Sequence, residues 1–483
     1  MTESFISRRL LSSRPGRLMF ALCLLAPLAA PAFAGSAGHK PAEPVVKAGA
    51  VTRGGVVAGA RIIHVTSLAD SGPGSLRRAI SRRGPRVIVF DIAGAIEVKR
   101  DLLISKPFIT IAGQSAPAPG IELRGARLRI GAGNVVVQHL SLRPRPSNNP
   151  RISSSRDAIT VSACRNCRSA MRNIRIENVS ASWASDEVIG LWGKTLAHVT
   201  VRNSLLTEGL DWAGHKKGSH SMGLLIGGGV EAVEVVGNLF AHNRNRNPVV
   251  GSGASAYVAN NFVYDPGRKS VHVYGDRTDL VTRASLIGNV VLAGPSSRRR
   301  MTAVQIPGAH RKPSPEPIIF VRDNIFCPKQ ASSPPCPAAD GRFKFMPPAP
   351  IIAAPESGEA MPVAGIDWDA MPAAKVWPHV SLYAGSRPAE RNAVDRRIFR
   401  EITARGGHII NNPDEVGGYQ TLPVVARRAS VPARPFAKVS GRDMTRIEVW
   451  LCLKHREVGG PATPECVGSR EDFRRLLAER LPG

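Results

Sequence analysis

The sequence predicts an all-β protein built as a parallel β-helix, a solenoid of stacked coils. Short strand-like segments recur along the chain, with ends 23 to 39 residues apart. They alternate Val or Ile with polar residues and are broken by Gly or Asn, which favours strands over the helices of helical repeats. The low aromatic share, 5%, suits a core of stacked aliphatic rows. The segments are Val135–Leu140, Ile174–Val179, Val199–Ser204, Val233–Asn238, Ala256–Asn261, Ala284–Asn289 and Ile319–Asn324.

Four of these segments end in asparagine: Asn238, Asn261, Asn289 and Asn324. Asparagines at matching positions of successive coils can stack their side-chain amides in a hydrogen-bonded ladder. Ordinary asparagines in turns are the alternative.

The N-terminus has the layout of a cleaved export signal. Arginines 8, 9, 14 and 17 precede an apolar run at 18–30 and the small-residue stretch Ala32-Phe33-Ala34. The apolar run is too short for a stable membrane anchor. We therefore expect a signal peptide at 1–34 and a secreted or periplasmic protein, with Arg8-Arg9 leaving a twin-arginine variant open.

The predicted mature chain carries six cysteines, an even number that suggests disulfides in an exported protein. Sequence proximity suggests Cys164–Cys167, Cys327–Cys336 and Cys452–Cys466, although six cysteines allow fifteen pairings. A redox motif or half a zinc site at Cys164–Cys167 is the alternative.

The remaining segments divide the chain further. A flexible lead-in is expected at 35–60, and the coils at 61–326. Ser75 should cap a short helix that begins at Leu76 and covers the end of the solenoid, before a strand at Arg86–Phe90. A Pro/Ala-rich strap or linker at 327–378 and a loop-rich C-terminal extension at 379–483 follow, the latter with a helical pattern at Arg391–Arg405.

The formal net charge is +28, which predicts attraction to polyanions. An acidic polysaccharide and a nucleic acid are both candidates; export favours the polysaccharide, and no known nucleic-acid reader motif is present. A basic composition without any ligand is the third possibility. A monomer without a membrane span is expected.

Several motifs occur in an order that resembles the bacterial pectate lyases of polysaccharide lyase family one. The motifs are Gly74-Ser-Leu-Arg77, Ile109-Thr-Ile-Ala-Gly-Gln114, Ser182-Trp-Ala-Ser-Asp-Glu187, Gly214-His-Lys-Lys-Gly218 and Ala241-His-Asn-Arg-Asn-Arg-Asn-Pro248. The match covers about residues 60–330. The resemblance implies a right-handed parallel β-helix that cleaves polygalacturonate or a related uronan by β-elimination with the help of calcium.

The resemblance also implies a catalytic base. In that family an arginine of an Arg-x-Pro-x-x-Arg motif removes the proton next to the uronate carboxylate. Arg246-Asn247-Pro248 matches the first half, so Arg246 is the expected base, while Gly251 stands where the second arginine is found. Because an arginine pKa exceeds 12, neighbouring cations such as Arg244 would have to disfavour the charge.

For calcium, the resemblance implies Glu177 and Asp186 as ligands. A third acid of the family pattern is replaced by Gly190, and Glu187 or Asp211 are possible substitutes. Ion pairs of these acids with neighbouring arginines are the alternative.

Substrate contacts are expected from the loop around 211–220 and from the cationic cluster at 242–248. Lys217 aligns best with a family lysine that binds the substrate carboxylate, with Lys216 as its rival. Arg244, Trp212 and His242 complete the expected set, Trp212 by stacking on a sugar face. His220 could add hydrogen bonds to sugar hydroxyls.

Two other functions remain. A β-helical hydrolase would need paired aspartates as acid and base, and no compact pair lies on one coil in the matching region. A non-catalytic β-helix that binds acidic polysaccharide is favoured by Gly190 and Gly251.

Overall fold

The computed structural model describes residues 52–163, 170–274, 279–299, 301, 303–305, 317–329, 370–439 and 444–461. Within this part of the chain, successive coils stack into a right-handed β-helix whose faces are three parallel sheets, as predicted. We number the sheets I, II and III in the order in which the chain enters them within a coil. Strands of successive coils are neighbours in each sheet, at a spacing of about 4.8 Å.

Sheet I has ten strands: Arg61–Val65, Arg86–Phe90, Ile109–Ala112, Val135–Gln138, Met171–Glu177, Leu196–Arg202, Glu231–Val236, Ser255–Ala259, Arg283–Ile287 and Ile318–Arg322. The parallel strands of sheet II are Ile92–Val98, Ile121–Gly125, Leu140–Pro144, Ser180–Ser182, Leu205–Thr207, Leu239–Ala241, Phe262–Tyr264, Val290–Leu292 and Ile325–Cys327. A short strand, Val425–Ala426, joins sheet II antiparallel to Ile92–Val98. Sheet III contains Leu102–Ile104, Leu128–Ile130, Ile159–Ser162, Glu187–Trp192, Met222–Ile226, Val249–Val250, Val271–Val273 and Val304–Gln305.

The core is a set of aliphatic rows inside the coils. In sheet I, Ile109 pairs with Val135, Val135 with Ile174, and Ile174 with Val199, and all four are fully buried. Such branched side chains pack well in stacked strands because their rotamers are already restricted. The predicted strand segments therefore form one continuous hydrophobic interior.

The asparagine ladder is confirmed at the corner between sheets I and II. The Nδ2 of Asn238 donates to Oδ1 of Asn261 at 2.9 Å, Asn261 donates to Asn289 at 2.9 Å, and Asn289 donates to Asn324 at 2.8 Å. Ser204 begins the row by donating its backbone N–H to Asn238 Oδ1 at 3.0 Å. The ladder satisfies polar groups that the tight corner buries.

Replacement of Asn261 by alanine should lower the free energy of unfolding by about 2–4 kcal/mol, because it leaves buried partners unsatisfied on both neighbouring coils. Asn261 also donates to the carbonyl of Val235 at 2.8 Å. Urea denaturation checks the change, with Asn148→Ala at an exposed position as the control. Equal midpoints for the two variants would contradict a stabilising ladder.

The expected end cap is present. Helix α1 spans Leu76–Ser81, and Ser75 Oγ accepts from the backbone N–H of Arg78 at 3.3 Å. Leu76, Ala79 and Ile80 face the first coils and are buried. The cap covers an edge of the core that would otherwise meet water.

Helix α2 is a single turn at Pro150–Ser153, between two strands of the coils. Three further α-helices occur in the described part of the C-terminal region. Helix α3 is Val376–Tyr383, α4 is Ala393–Ala404 and α5 is Arg446–Glu457. The helix predicted at 391–405 is therefore confirmed, capped by the Asn392 side chain. Short 3₁₀ turns occur at Gly113–Ser115, Ala373–Lys375, Pro388–Glu390 and Pro413–Val416.

These helices cover the outer faces of two sheets. Ile398 and Ile402 of α4 pack on Leu239 and Phe262 of sheet II. Trp450 of α5 packs on the outer face of sheet I. The predicted strap boundary at 378 falls inside α3, so the chain is already helical before the expected extension begins.

Several expectations fall on residues outside the described ranges. They concern the signal at 1–34, the lead-in up to residue 51, most of the strap, and the cysteines Cys164, Cys167, Cys336 and Cys466. The domain boundaries and the cysteine pairing therefore stay predictions. No helix of the described chain has the length and apolar character needed to cross a bilayer.

Candidate functional site

The turns that lead from sheet II into sheet III carry most of the predicted site; we call these turns the II–III corner. Asp157 precedes the strand Ile159–Ser162, and Asp186 and Glu187 stand at the start of the strand on the next coil. The loop 208–221 follows one coil later, and Arg246 comes before Val249–Val250 on the coil after that. Because the coils stack in parallel register, these residues gather along one edge of sheet III.

Three carboxylates meet at this corner. Oxygens of Asp157, Asp186 and Glu187 all lie within 4.8 Å of one another. Asp157 is buried, and it accepts hydrogen bonds from Thr160 Oγ1 at 2.5 Å and from the backbone N–H of Glu187 at 3.2 Å. Burial, together with the neighbouring Asp186 charge, raises the pKa of Asp157 to about 8.

Asp157 occupies the space beside Gly190. A Cβ built on Gly190 would lie 2.8 Å from Asp157 Oδ2, and Thr160, which holds this carboxylate, pairs directly with Gly190 in sheet III. We expected Gly190 to leave the group of acidic metal ligands one short. Instead, the Asp157 carboxylate of the preceding coil lies where a side chain at position 190 would be. The cluster has three acids although position 190 supplies none.

Arg246 lies against this cluster. Its side chain is 21% exposed, and its Nη1 forms an ion pair with Oε1 of Glu187. The residue adopts a left-handed backbone with φ of 62°, uncommon for a residue with a side chain, and its carbonyl accepts from the N–H of Leu224. Burial lowers the pKa of the guanidinium. The structure thus brings the predicted base and two predicted acids together.

The second arginine of the family pattern has no room in this chain. A Cβ on Gly251 would come within 2.6 Å of the Ile226 carbonyl oxygen and 3.0 Å of the Gly227 carbonyl carbon. Both are backbone atoms of the adjacent coil, which cannot move aside without breaking the sheet. Position 251 is therefore restricted to glycine by coil stacking.

Two histidines of the loop 208–221 stack beside Asp186. The rings of His215 and His220 lie 3.7 Å apart and within 5° of parallel. Their Nε2 atoms are 3.4 Å and 2.9 Å from Asp186 Oδ1. Burial and the neighbouring His220 lower the pKa of His215 to about 4, so this ring is neutral near pH 7.

The expected substrate-binding residues of the loop are on the surface. Lys216 and Lys217 are exposed, and Trp212 is 67% exposed with its ring beside Gly218. Arg244 is partly exposed and donates from Nη1 to Asp211 Oδ2 at 3.0 Å. These four side chains form a mainly cationic rim, while Asp211 serves as the Arg244 partner and lies outside the acid cluster.

His242 is not available to a substrate. Its ring is fully buried, its Nδ1 lies 2.9 Å from Asp265 Oδ2, and its Nε2 lies 3.4 Å from Glu401 Oε2 of α4. The expected substrate contact is thus replaced by an interior role, because α4 covers this side of the coil. The two carboxylates raise the pKa of His242 to about 9, against the opposing effect of burial.

This histidine should make stability depend on pH. An unfolded histidine titrates near 6.5, so the folded state binds the His242 proton more tightly. The resulting stabilisation, up to about 3 kcal/mol, is complete below pH 6.5 and is lost as the pH rises through about 9. Urea denaturation across this range checks the loss; it should shrink in His242→Gln and persist in the exposed control His408→Gln.

Glu177 is not brought to the cluster. It ends a strand of sheet I, where it forms ion pairs with Arg175 at 2.8 Å and Arg202 at 2.7 Å and accepts from Gln138 Nε2 at 2.7 Å. Those partners outweigh its burial and lower its pKa to about 2. The expected convergence of Glu177 with Asp186 is corrected here: a strand of another sheet separates it from the II–III corner, and the ion-pair alternative describes it.

Asp157 and His215 were missed by sequence reasoning. A signal for Asp157 was present, because Asp157-Ala-Ile-Thr-Val161 and Asp186-Glu-Val-Ile189 both place an acid just before an alternating strand. Equivalent places in successive coils lie above one another. His215 lies in the quoted motif Gly214-His-Lys-Lys-Gly218, but its place beside Asp186 depends on the path of an irregular loop.

Comparison with known proteins gives fungal relatives that are named as probable pectate or pectin lyases. No protein-family model matches the chain. A probable pectate lyase C of Aspergillus terreus is 34% identical over 239 residues, covering 49% of this chain and 51% of that protein. A probable pectate lyase C of Neosartorya fischeri is 29% identical over 371 residues, covering 75% and 77%. The chain is similar to fungal pectate lyases.

The first of these matches spans about half the length of the curated relative. Both relatives are named as probable pectate lyases of fungi, whereas the sequence motifs resemble bacterial pectate lyases. Among solved structures, the cedar pollen allergen Jun a 1 aligns with a TM-score of 0.45 and 18% identity over 68% of this chain and 89% of that one. A pectate lyase from Bacillus sp. N165 in complex with trigalacturonate aligns with a TM-score of 0.40 and 14% identity, covering 69% and 95%.

Proposed function

We propose that this protein is an exported polysaccharide lyase that cleaves pectate or a related uronan by β-elimination. The observation that carries the proposal is the arginine at the II–III corner, which is mostly buried against three clustered carboxylates and lies close to the cationic rim. Named pectate lyases among the relatives support the same reaction class.

The reaction removes the proton on the carbon next to the uronate carboxylate. The electron pair left behind forms a carbon–carbon double bond, and the bond to the glycosidic oxygen on the next carbon breaks. The leaving oxygen takes up a proton, so the products are an unsaturated uronide and a new sugar end. Arg246 is the proposed base, because the resemblance implies it, its side chain lies at the corner where the metal would be held, and burial disfavours its charge.

The acid cluster fits a divalent cation, and the resemblance implies that this cation is calcium. Three carboxylates within 4.8 Å repel one another, and burial of Asp157 adds to the cost of ionising all of them. Asp157, Asp186 and Glu187 would hold the ion. A bound divalent cation would offset the charge of a substrate carboxylate and acidify the adjacent C–H.

The rim would hold the rest of the substrate. Lys217 or Lys216 and Arg244 offer cationic partners for uronate carboxylates, and Trp212 offers an exposed ring for a sugar face. The exposure of these side chains leaves them free to contact a polymer lying along sheet III.

A non-catalytic uronan-binding protein is the second candidate. The ion pair between Arg246 and Glu187 favours it, because a paired guanidinium is a poor base. Hydrolysis has less support, although Asp157 and Asp186 are close, because buried Asp157 is held in place by a hydrogen bond from Thr160.

One experiment separates these functions. The purified protein is incubated with polygalacturonate and other uronans, with and without a chelator and added calcium, while the ultraviolet absorbance of unsaturated product and the reducing ends are followed. A lyase raises both signals, and the chelator suppresses them. A hydrolase raises reducing ends alone, and binding in a pull-down without either signal identifies the non-catalytic protein.

A further inference from the structure

His220 has a buried nitrogen beside the acid cluster that contacts Asp186 but makes no aligned hydrogen bond to a described residue. The residue is 3% exposed, and its Nε2 is a buried atom without a hydrogen-bond partner in the described part of the chain. This nitrogen lies 2.9 Å from Asp186 Oδ1 and 4.0 Å from Glu187 Oε1. Because the contact with Asp186 is close but not aligned as a hydrogen bond, a cation bound by both atoms would satisfy them.

The contact with Asp186 has the spacing of two ligands of one ion. Two ligand atoms bound at about 2.1 Å and at right angles lie about 3.0 Å apart. The 2.9 Å separation of His220 Nε2 and Asp186 Oδ1 matches this spacing. Asp186 therefore belongs to both groups of possible metal ligands, the three carboxylates and the triad that it forms with His215 and His220.

His215 acts as support in this arrangement. Its Nδ1 accepts the backbone N–H of Lys217 at 3.0 Å, which puts the proton of the neutral ring on Nε2. That nitrogen faces Asp186 as a donor and offers no lone pair. The stacked ring of His215 thus holds His220 in place and orients the carboxylate, as outer partners of metal ligands do.

The donor set differs from what calcium prefers. Calcium takes six to eight oxygen ligands. This corner offers carboxylates from three residues, none from position 190, and one imidazole nitrogen. Imidazole nitrogen favours first-row transition ions over calcium, and their affinities rise toward the end of the row.

We propose that Asp157, Asp186, Glu187 and the Nε2 of His220 form a mixed nitrogen and oxygen site that binds a first-row transition dication in preference to calcium. This inference deepens the proposed function, since it names the ion class for the same corner. Its binding test does not need turnover.

The test uses Co²⁺ and Ca²⁺ as the probes. Isothermal titration of the metal-free protein should give a Co²⁺ dissociation constant at least about 10-fold lower than that of Ca²⁺. His220→Ala should weaken Co²⁺ binding by about 10–100-fold and change Ca²⁺ binding by less than about 3-fold. His408→Ala, at a histidine whose side chain is 57% exposed, should change neither. With Cu²⁺ as a third probe, electron paramagnetic resonance should show nitrogen coupling that His220→Ala removes.

Tighter binding of Ca²⁺ than of Co²⁺, or Co²⁺ binding unaffected by His220→Ala, would overturn the proposal. His220→Gln and thermal melting of each variant guard against loss of folding. Failure of the lyase proposal is distinguishable from failure of the metal-site proposal. In that case no unsaturated product forms with either ion, while the metal affinities and the nitrogen coupling keep their expected values.

Discussion

Replacement of Arg246 by alanine is expected to lower the rate of unsaturated product formation by about 10²–10⁴-fold, the usual contribution of a positioned base. The loss should appear in kcat more than in KM, because the proposed role of Arg246 is in proton removal. Steady-state rates on polygalacturonate, followed by ultraviolet absorbance, measure the effect. Because Arg246→Ala leaves the buried Glu187 carboxylate without its cationic partner, thermal melting of the variant accompanies the rate measurement.

Arg244 provides the matched control. It lies two residues away, carries the same charge and is paired with Asp211, outside the acid cluster. Arg244→Ala should raise KM for the polymer and leave kcat within about 10-fold, because a rim cation contributes binding and not chemistry. Equal kcat in the Arg246 variant and the unchanged protein would remove Arg246 as the base.

Replacement of Asp157 by asparagine is expected to weaken divalent cation binding by at least about 100-fold, beyond the usual cost of losing an outer partner of a metal site. Product formation should fall in parallel. Titration calorimetry and the absorbance assay measure the two losses. Asp279→Asn, at an exposed acid away from the cluster, is the matched control and should affect neither.

The pKa of Asp157 adds a pH dependence to this prediction. Because burial and Asp186 raise that pKa to about 8, a metal ion must displace a proton below this pH. Metal affinity should therefore increase with pH up to about 8 and level off above it. In Asp157→Asn the residual affinity should lack this rise; a rise that persists would assign the proton to another group.

The repeat pattern made the fold predictable. Alternating aliphatic residues at comparable spacing can bury their apolar side only by stacking, so the strands of sheet I and the ladder from Asn238 to Asn324 follow from local pattern. The cap helix was predictable for the same reason, since Ser75 supplies a recognisable N-cap.

The site was predictable only where its residues belong to a motif. Arg246, Asp186 and Glu187 meet as expected, whereas Glu177 lies on another sheet and His242 lies under α4. The side of a coil that a residue faces depends on where each strand bends into the next sheet. A single sequence does not show which outer face a distant helix will cover.

By itself, the sequence determined that this protein is a stacked parallel β-helix with a cationic cluster at 242–248. The reason is that the alternation of aliphatic residues and the clustering of arginines are properties of the order of residues along the chain. Only the tertiary structure decided that Asp157 lies beside Gly190, that coil stacking leaves no room for a side chain at Gly251, and that His220 presents a buried nitrogen to Asp186. These contacts join residues of different coils, and their distances depend on strand register and loop path.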